Sequence, residues 1–326
     1  MASSRTTLLT AFATVYLIWG STYLAILWAI DTMPPLLMVG ARYLLAGALL
    51  WPFTRPKAGS GATTRPTTKD WGWAFLLGGL LFLMGNGMVV LGERYLPSAV
   101  VALLVGAVPL WLVLFESIQL RRAPGPLVLA GLACGIAGVA VLASAKEGWK
   151  GDTTGWLGLL SLLGVMLGCA CWAAASLLSR RNRTKLPFLR NVALQFIAGG
   201  ILITAIALVR GEASGFHLSQ VSAKSWWSWL YLIVFGSIIA FTAYAWILRN
   251  VPPAVAGTYA FVNPLVAVVL GATLASEPIG KSTLGAAALI IAAVVLITFD
   301  KMRKTAAPTK PAPPAPAAED PPPGES

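Results

Sequence analysis

Stretches of about nineteen residues without a charged side chain recur along this chain, each long enough as a helix to cross a hydrocarbon layer about 30 Å thick. Ten such windows can be marked, at 8–29, 36–53, 71–92, 98–118, 127–145, 155–178, 188–209, 226–248, 254–274 and 282–299. In lipid every backbone amide must find its partner inside the segment, so the windows predict helices rather than open sheets. The expected fold class is therefore an all-α membrane protein of ten transmembrane helices joined by short loops. The first window follows MASSRTT and outlasts the apolar core of a secretory signal. No small-x-small cleavage site follows it before WAIDTMPPLL, so it is expected to remain as the first helix.

A net charge of +12 would bring nucleic acid into question for a soluble domain. Here the placement of the charges gives another reading. Arg5, Arg55, Lys57, Arg65, Lys69, Arg121, Arg122, the cluster Arg180–Arg190, Arg249 and Lys301–Lys310 all fall on one side of the alternating windows. Only Arg94, Lys146, Lys150, Arg210, Lys224 and Lys281 fall on the other. This positive-inside pattern puts both termini in the cytoplasm of an inner (plasma) membrane, with the bilayer as partner and no nucleic acid. Cys134, Cys169 and Cys171 all lie inside windows and read as small packing residues. The Pro/Ala-rich segment 301–326 cannot bury a core and is expected to be a disordered cytoplasmic tail.

An internal repeat constrains the chain further. Trp19, Pro34, Arg42 and Gly47 align with Trp172, Pro187, Gln195 and Gly200 at an offset of 153. Arg94, Pro97, Ala99 and Pro109 align with Arg249, Pro252, Ala254 and Pro264 at an offset of 155. Two five-helix copies result, 8–145 and 155–300. Five is odd, so the second copy enters the membrane from the opposite side, an arrangement associated with secondary transporters. Each copy carries a proline inside its fourth window, Pro109 and Pro264. These are read as paired helix breaks and hinges that free the carbonyls of Val105 and Ala260 beside a polar cavity, since irregular backbone at membrane depth is tolerated only in protein or against water.

Several stretches now resemble the drug/metabolite transporter superfamily, specifically its EamA-type ten-helix inner-membrane exporters. They are IWGSTY (18–23), PPLLMVGARYLLAG (34–47), GNGMV (85–89), FGSIIA (235–240) and YAFVNPLVAVVLG (259–271). The resemblance implies two EamA repeats and alternating access. It also implies a substrate cavity lined mainly by helices 1, 3, 4, 6, 8 and 9, with helices 5 and 10 set apart. The family moves amino acids, drugs, nucleotide sugars and other metabolites, so the resemblance names no substrate.

Enzyme chemistry finds little footing. His217 is the single histidine, so a histidine-cluster metal site and a HExxH zinc motif are excluded. ASEPIGKST (275–283) imitates a phosphate loop but has Ala275 at the first required glycine and no preceding strand. The polar and aromatic groups inside the windows are better candidates. Trp19 and Tyr23 share a helical face, as do Tyr259 and Asn263. Trp172 is the repeat mate of Trp19, Asn86 sits between two glycines, and Thr242 and Tyr244 lie in the eighth window. Trp19, Tyr23, Asn86, Trp172, Tyr244, Tyr259 and Asn263 are thus the expected substrate contacts.

Two charges bear on coupling. Arg42 has three readings: it snorkels outward, it pairs with a substrate carboxylate, or it pairs with Glu93. Glu93, at the end of the third window, is the best placed proton carrier or local ion-pair partner. Small-residue runs at 131–138 and 285–293 suit packing within a monomer or a homodimer contact. The expected function is secondary active export of small amphiphilic metabolites or drugs, aromatic amino acids among them, without metal or organic cofactor. A passive channel and a non-transporting membrane receptor or enzyme are the competing readings.

Overall fold

The computed structural model describes residues 5–54, 65–121, 123, 125–145, 156–182, 184–251, 253–277 and 280–306. All regular elements among them are helical. Besides a 3-10 turn at Leu218–Gln220 and a single helical turn at Pro253–Ala256, they are α1 (Arg5–Ala29), α2 (Pro35–Thr54, ending in a 3-10 turn), α3 (Thr68–Gly92), α4 (Ser98–Gln119) and α5 (Pro126–Ala145). Then follow α6 (Trp156–Ser179), α7 (Phe188–Val209), α8 (Ala223–Asn250), α9 (Tyr259–Leu274) and α10 (Lys281–Ala306). Seven of these, α1 to α4 and α6 to α8, are long and apolar enough to cross a membrane. Most of the linker 54–70, the loop with Lys146 and Lys150, and the tail beyond Ala306 lie outside the described residues. Helix α10 reaches six residues into the segment expected to be tail.

Helix starts follow local chemistry. Thr67 and Asp70 form a reciprocal capping box at the head of α3. Pro34 and Pro187, repeat mates, sit at the N-caps of α2 and α7, where a missing N–H costs nothing.

Those two helices pack in opposite senses: Gly40 meets Thr204, Leu44 meets Gly200, and Gly47 meets Ile197. Leu44 and Ile197 are themselves mates at the repeat offset, as are Gly47 and Gly200, so each contact is returned by its counterpart. A Cβ at Gly47 would stand 2.6 Å from Ile197 Cγ1, and one at Gly200 2.8 Å from the Leu44 nitrogen. Only glycine permits this approach. Helices α5 and α10 pack against one another, Gly138 facing Ala286 and Ile290, so their small-residue runs are used within the chain.

The breaks differ from the expectation. In α4 the interruption is the turn at 106–107, and Pro109 sits in the first turn of the helix that restarts at Val108. In α9 the turn falls at 257–258, ahead of Tyr259, and Pro264 lies inside a continuous helix. Pro264 does remove a donor, but the Ala260 carbonyl that loses it faces Gly106, where a Cβ would stand 3.5 Å away. It is absorbed by packing against the broken α4.

Two further irregularities were not anticipated. Gly79–Asn86 within α3 and Leu232–Ile239 within α8 are π-helical, and their bounds differ by the repeat offset. At the end of each, one N–H passes over the carbonyl four residues back. Ala240 donates to Phe235 and Ser237 and skips Gly236; Gly87 donates to Phe82 and Met84 and skips Leu83. Such π turns release carbonyls without proline.

Candidate functional site

Between the two sequence copies lies a cavity with a free volume of about 70 Å³, room for a few waters or one end of a solute. Six of the seven expected contacts line it: Trp19, Tyr23, Asn86, Trp172, Tyr259 and Asn263. Trp19 of α1 is the hub. Its ring centroid lies 4.9 Å from Tyr244, 5.2 Å from Tyr259 and 5.6 Å from Trp172, the last two edge-on. Edge-to-face packing of this kind adds to simple area burial. The Trp19 indole N–H donates at 3.1 Å to the Gly236 carbonyl, the one released by the π turn of α8.

Tyr244 stands behind this wall. Its hydroxyl accepts from Trp172 Nε1 at 3.2 Å and is bonded to Ser176 Oγ at 2.9 Å. Trp172 in turn lies over Gly85, where a Cβ would come within 2.9 Å of its ring. Thr242 falls outside the cavity and lies on another flank of α8, with Ile239 and Trp246.

The polar groups divide by partner. With its amide nitrogen turned to the neighbouring carbonyls, Asn263 donates to Tyr259 O at 3.2 Å and Tyr16 O at 3.1 Å, tying α9 to α1. Asn86, the last residue of the α3 π segment, keeps its Oδ1 buried without a hydrogen-bond partner. Arg42 is only 3% exposed. Neither snorkelling nor pairing with Glu93 describes it: Nε donates to Ser237 Oγ at 2.8 Å, and Nη1 is buried without a partner. Glu93 is fully buried at the end of α3 and lies outside the cavity lining.

The two ends of the bundle differ. At the end carrying the C-termini of α6 and α8, a vestibule of about 480 Å³ opens, lined by Ser176, Arg180, Asn191, Gln195, Tyr244 and Arg249 among others. It shares Phe241 with the central cavity. At the opposite end, carboxylates of the second copy cap helices of the first. Glu277 accepts from Ser98 N (2.8 Å), Ser98 Oγ (2.8 Å) and Ala99 N (3.3 Å) at the head of α4. Glu212 accepts from Leu36 N (2.8 Å) and Leu37 N (3.0 Å) at the head of α2. Thr32 Oγ1 adds a bond to Ser225 Oγ at 2.8 Å. The segment that imitates a phosphate loop thus supplies an inter-copy cap.

Sequence reasoning missed Tyr43, Ser237, Gly236 and Phe241. Nothing in the apolar pattern marks a π turn, although FGSIIA stood among the family-like stretches. The contribution of α2 through Arg42 and Tyr43 also goes beyond the six helices that the resemblance implied.

The EamA-like transporter family model matches residues 6–144 and again 159–299. The chain is 35% identical over 298 residues to the uncharacterized inner membrane transporter YedA of Escherichia coli K12, covering 89% of this chain and 90% of that one. It is 25% identical over 299 residues to the S-adenosylmethionine/S-adenosylhomocysteine transporter of Chlamydia trachomatis serovar L2, covering 88% of each. A solved crystal structure with 20% identity superposes at a TM-score of 0.65 over 92% of this chain and 99% of the other, a likeness of fold. Family and relatives alike are named as transporters. The chain, a multi-pass membrane protein built of two EamA repeats, belongs to the EamA-like transporter family.

Proposed function

We propose that the protein is a secondary active carrier that exports small amphiphilic metabolites or drugs across the inner membrane by alternating access. In this reading all ten helices cross the bilayer as two inverted five-helix halves, with both termini cytoplasmic. The antiparallel, mutually returned contacts of α2 and α7 support the inversion, and the distribution of Lys and Arg supports the orientation.

One observation carries the reading. An aromatic cavity drawn from both halves adjoins a wide vestibule on one side, while on the other side carboxylate caps tie the halves together. A through-pore would need neither the caps nor the asymmetry. Repeat mates are used unequally, as a single conformer of a two-state carrier requires: Arg42 lines the cavity while its mate Gln195 lines the vestibule. The apolar body of the solute lies against Trp19, Trp172 and Tyr259. Asn86 and the Gly236 carbonyl meet its polar groups, and Tyr244 with Phe241 separates cavity from vestibule. The turns beside Pro109 and ahead of Tyr259 are the points at which the halves rock.

Counterflow in proteoliposomes tests this directly. Vesicles preloaded with unlabelled solute should accumulate labelled solute transiently above equilibrium, because a carrier returns faster when occupied. Simple equilibration without overshoot would mean a channel, and no uptake of any solute that binds would mean a receptor.

A further inference from the structure

Among the described residues lining the central cavity, Arg42 is the sole charged one. One of its nitrogens is engaged by Ser237, its Cζ lies 5.0 Å from the centre of the Tyr43 ring, and Nη1 is buried with no hydrogen-bond partner. A guanidinium cannot shed its charge. Leaving it buried without a counter-charge is strongly unfavourable, and a buried unsatisfied polar atom in a folded protein calls for an explanation.

The same sign continues along the approach. Arg180 and Arg249 are the charged residues among those lining the vestibule. Arg180 donates to the carbonyls of Leu248 and Val251 at 3.3 and 2.8 Å, and Arg249 lies 5.1 Å from the Phe188 ring centre. Among the described residues that line the vestibule none is a carboxylate, the nearest being Asp70, which accepts from the lining residue Thr184 at 2.6 Å, so the wall that a solute passes carries two cations, a field that favours anions. In the cavity the carboxylate finds a guanidinium nitrogen awaiting an acceptor. A flat apolar body finds the faces and edges of Trp19, Trp172 and Tyr259. An ammonium finds no carboxylate among the described residues that line either place.

We propose that the cavity selects organic monocarboxylates with a flat apolar body, the carboxylate pairing with Arg42, over zwitterions and cations. The inference rests on the reading of this cavity as the solute site.

Calorimetric titration of the full-length purified protein tests it with four solutes that share a phenyl ring on a short chain: hydrocinnamate, its neutral amide, phenylpropylamine and phenylalanine. At neutral pH hydrocinnamate should bind about tenfold or more tightly than the amide, since a charge-assisted hydrogen bond replaces a neutral one. The amine and phenylalanine should bind no better than the amide. Arg42→Gln should bring hydrocinnamate to the level of the amide and leave the amide within about threefold. Ser237→Ala, which removes the partner of Nε and the Ser237 bond to the Leu232 carbonyl but leaves the guanidinium in place, should keep the preference.

Equal binding of acid and amide, a preference for amine or zwitterion, failure of hydrocinnamate to bind, or a preference that survives Arg42→Gln would each overturn the proposal. Should Arg42→Gln fail to fold, Arg42→Lys keeps the charge and must keep the order, and the wild-type ranking decides on its own. Trp19→Ala separates the two levels. If it leaves all binding unchanged, the site assignment fails; if it weakens acid and amide alike while the acid shows no advantage, only the carboxylate selection fails.

Discussion

Trp19 has two jobs that a smaller side chain cannot share. Its ring touches three aromatic partners, and its N–H satisfies a carbonyl that the π turn of α8 leaves open. Trp19→Ala removes both and should weaken solute binding about tenfold or more, as loss of a buried aromatic anchor does; Trp19→Phe, which keeps the ring and loses the donor, should fall between, read by the same titration. Tyr244→Phe deletes the hydroxyl that serves Trp172 and Ser176. An indole N–H left buried and unpaired costs about 1–3 kcal/mol, so this variant should lower the melting temperature by a few degrees; an unchanged melting temperature would contradict the assigned bond. Much of this was legible as sequence. Spacing four residues apart placed Trp19 with Tyr23 and Tyr259 with Asn263, and the repeat placed Trp172 opposite Trp19. Arg42 was visible as a charge in an apolar window, but its partner Ser237 was not, because that contact joins helices 195 residues apart.

At the scale of elements, irregular backbone defines the site. The sequence marks the prolines as the breaks, yet Pro109 opens a helix and Pro264 rides within one. The released carbonyls come instead from paired π segments, whose sequences GLLFLMGN and LIVFGSII carry no breaker stronger than glycine. Helical propensity could not reveal them, since a π turn is set by how neighbouring helices pack. Glycines hold that packing. A methyl at Gly85 would press on Trp172 at 2.9 Å, so Gly85→Ala should cost about 1–3 kcal/mol from overpacking and displace the ring from the cavity, measurable as loss of both stability and solute binding.

The α9–α10 turn is built with equal economy. Ser276 adopts φ of 53°, and the Glu277 carboxylate folds back over Gly271, where a Cβ would stand 2.6 Å from Oε2. Gly271→Ala and Glu277→Ala should therefore behave alike, both loosening the cap on α4 and both raising access to the cavity from the side opposite the vestibule. Divergent behaviour of the two would argue that Glu277 is not held by that geometry.

For the whole molecule, two EamA repeats pack through contacts that each returns to the other, and the central claim is that they alternate around a shared cavity. A topology in which residues 1–7 and the C-terminal segment label from different sides of the bilayer would undo the inverted plan. Cys169 offers the most direct test, because it lines the cavity and is buried, with its thiol 3.6 Å from the Leu104 carbonyl. With Cys134 and Cys171 replaced by serine, Cys169 in oriented vesicles should react with a membrane-impermeant thiol reagent applied from either side, and a bound solute should slow both reactions. Reaction from neither side, or from one side only under every condition of solute and gradient, would contradict the account.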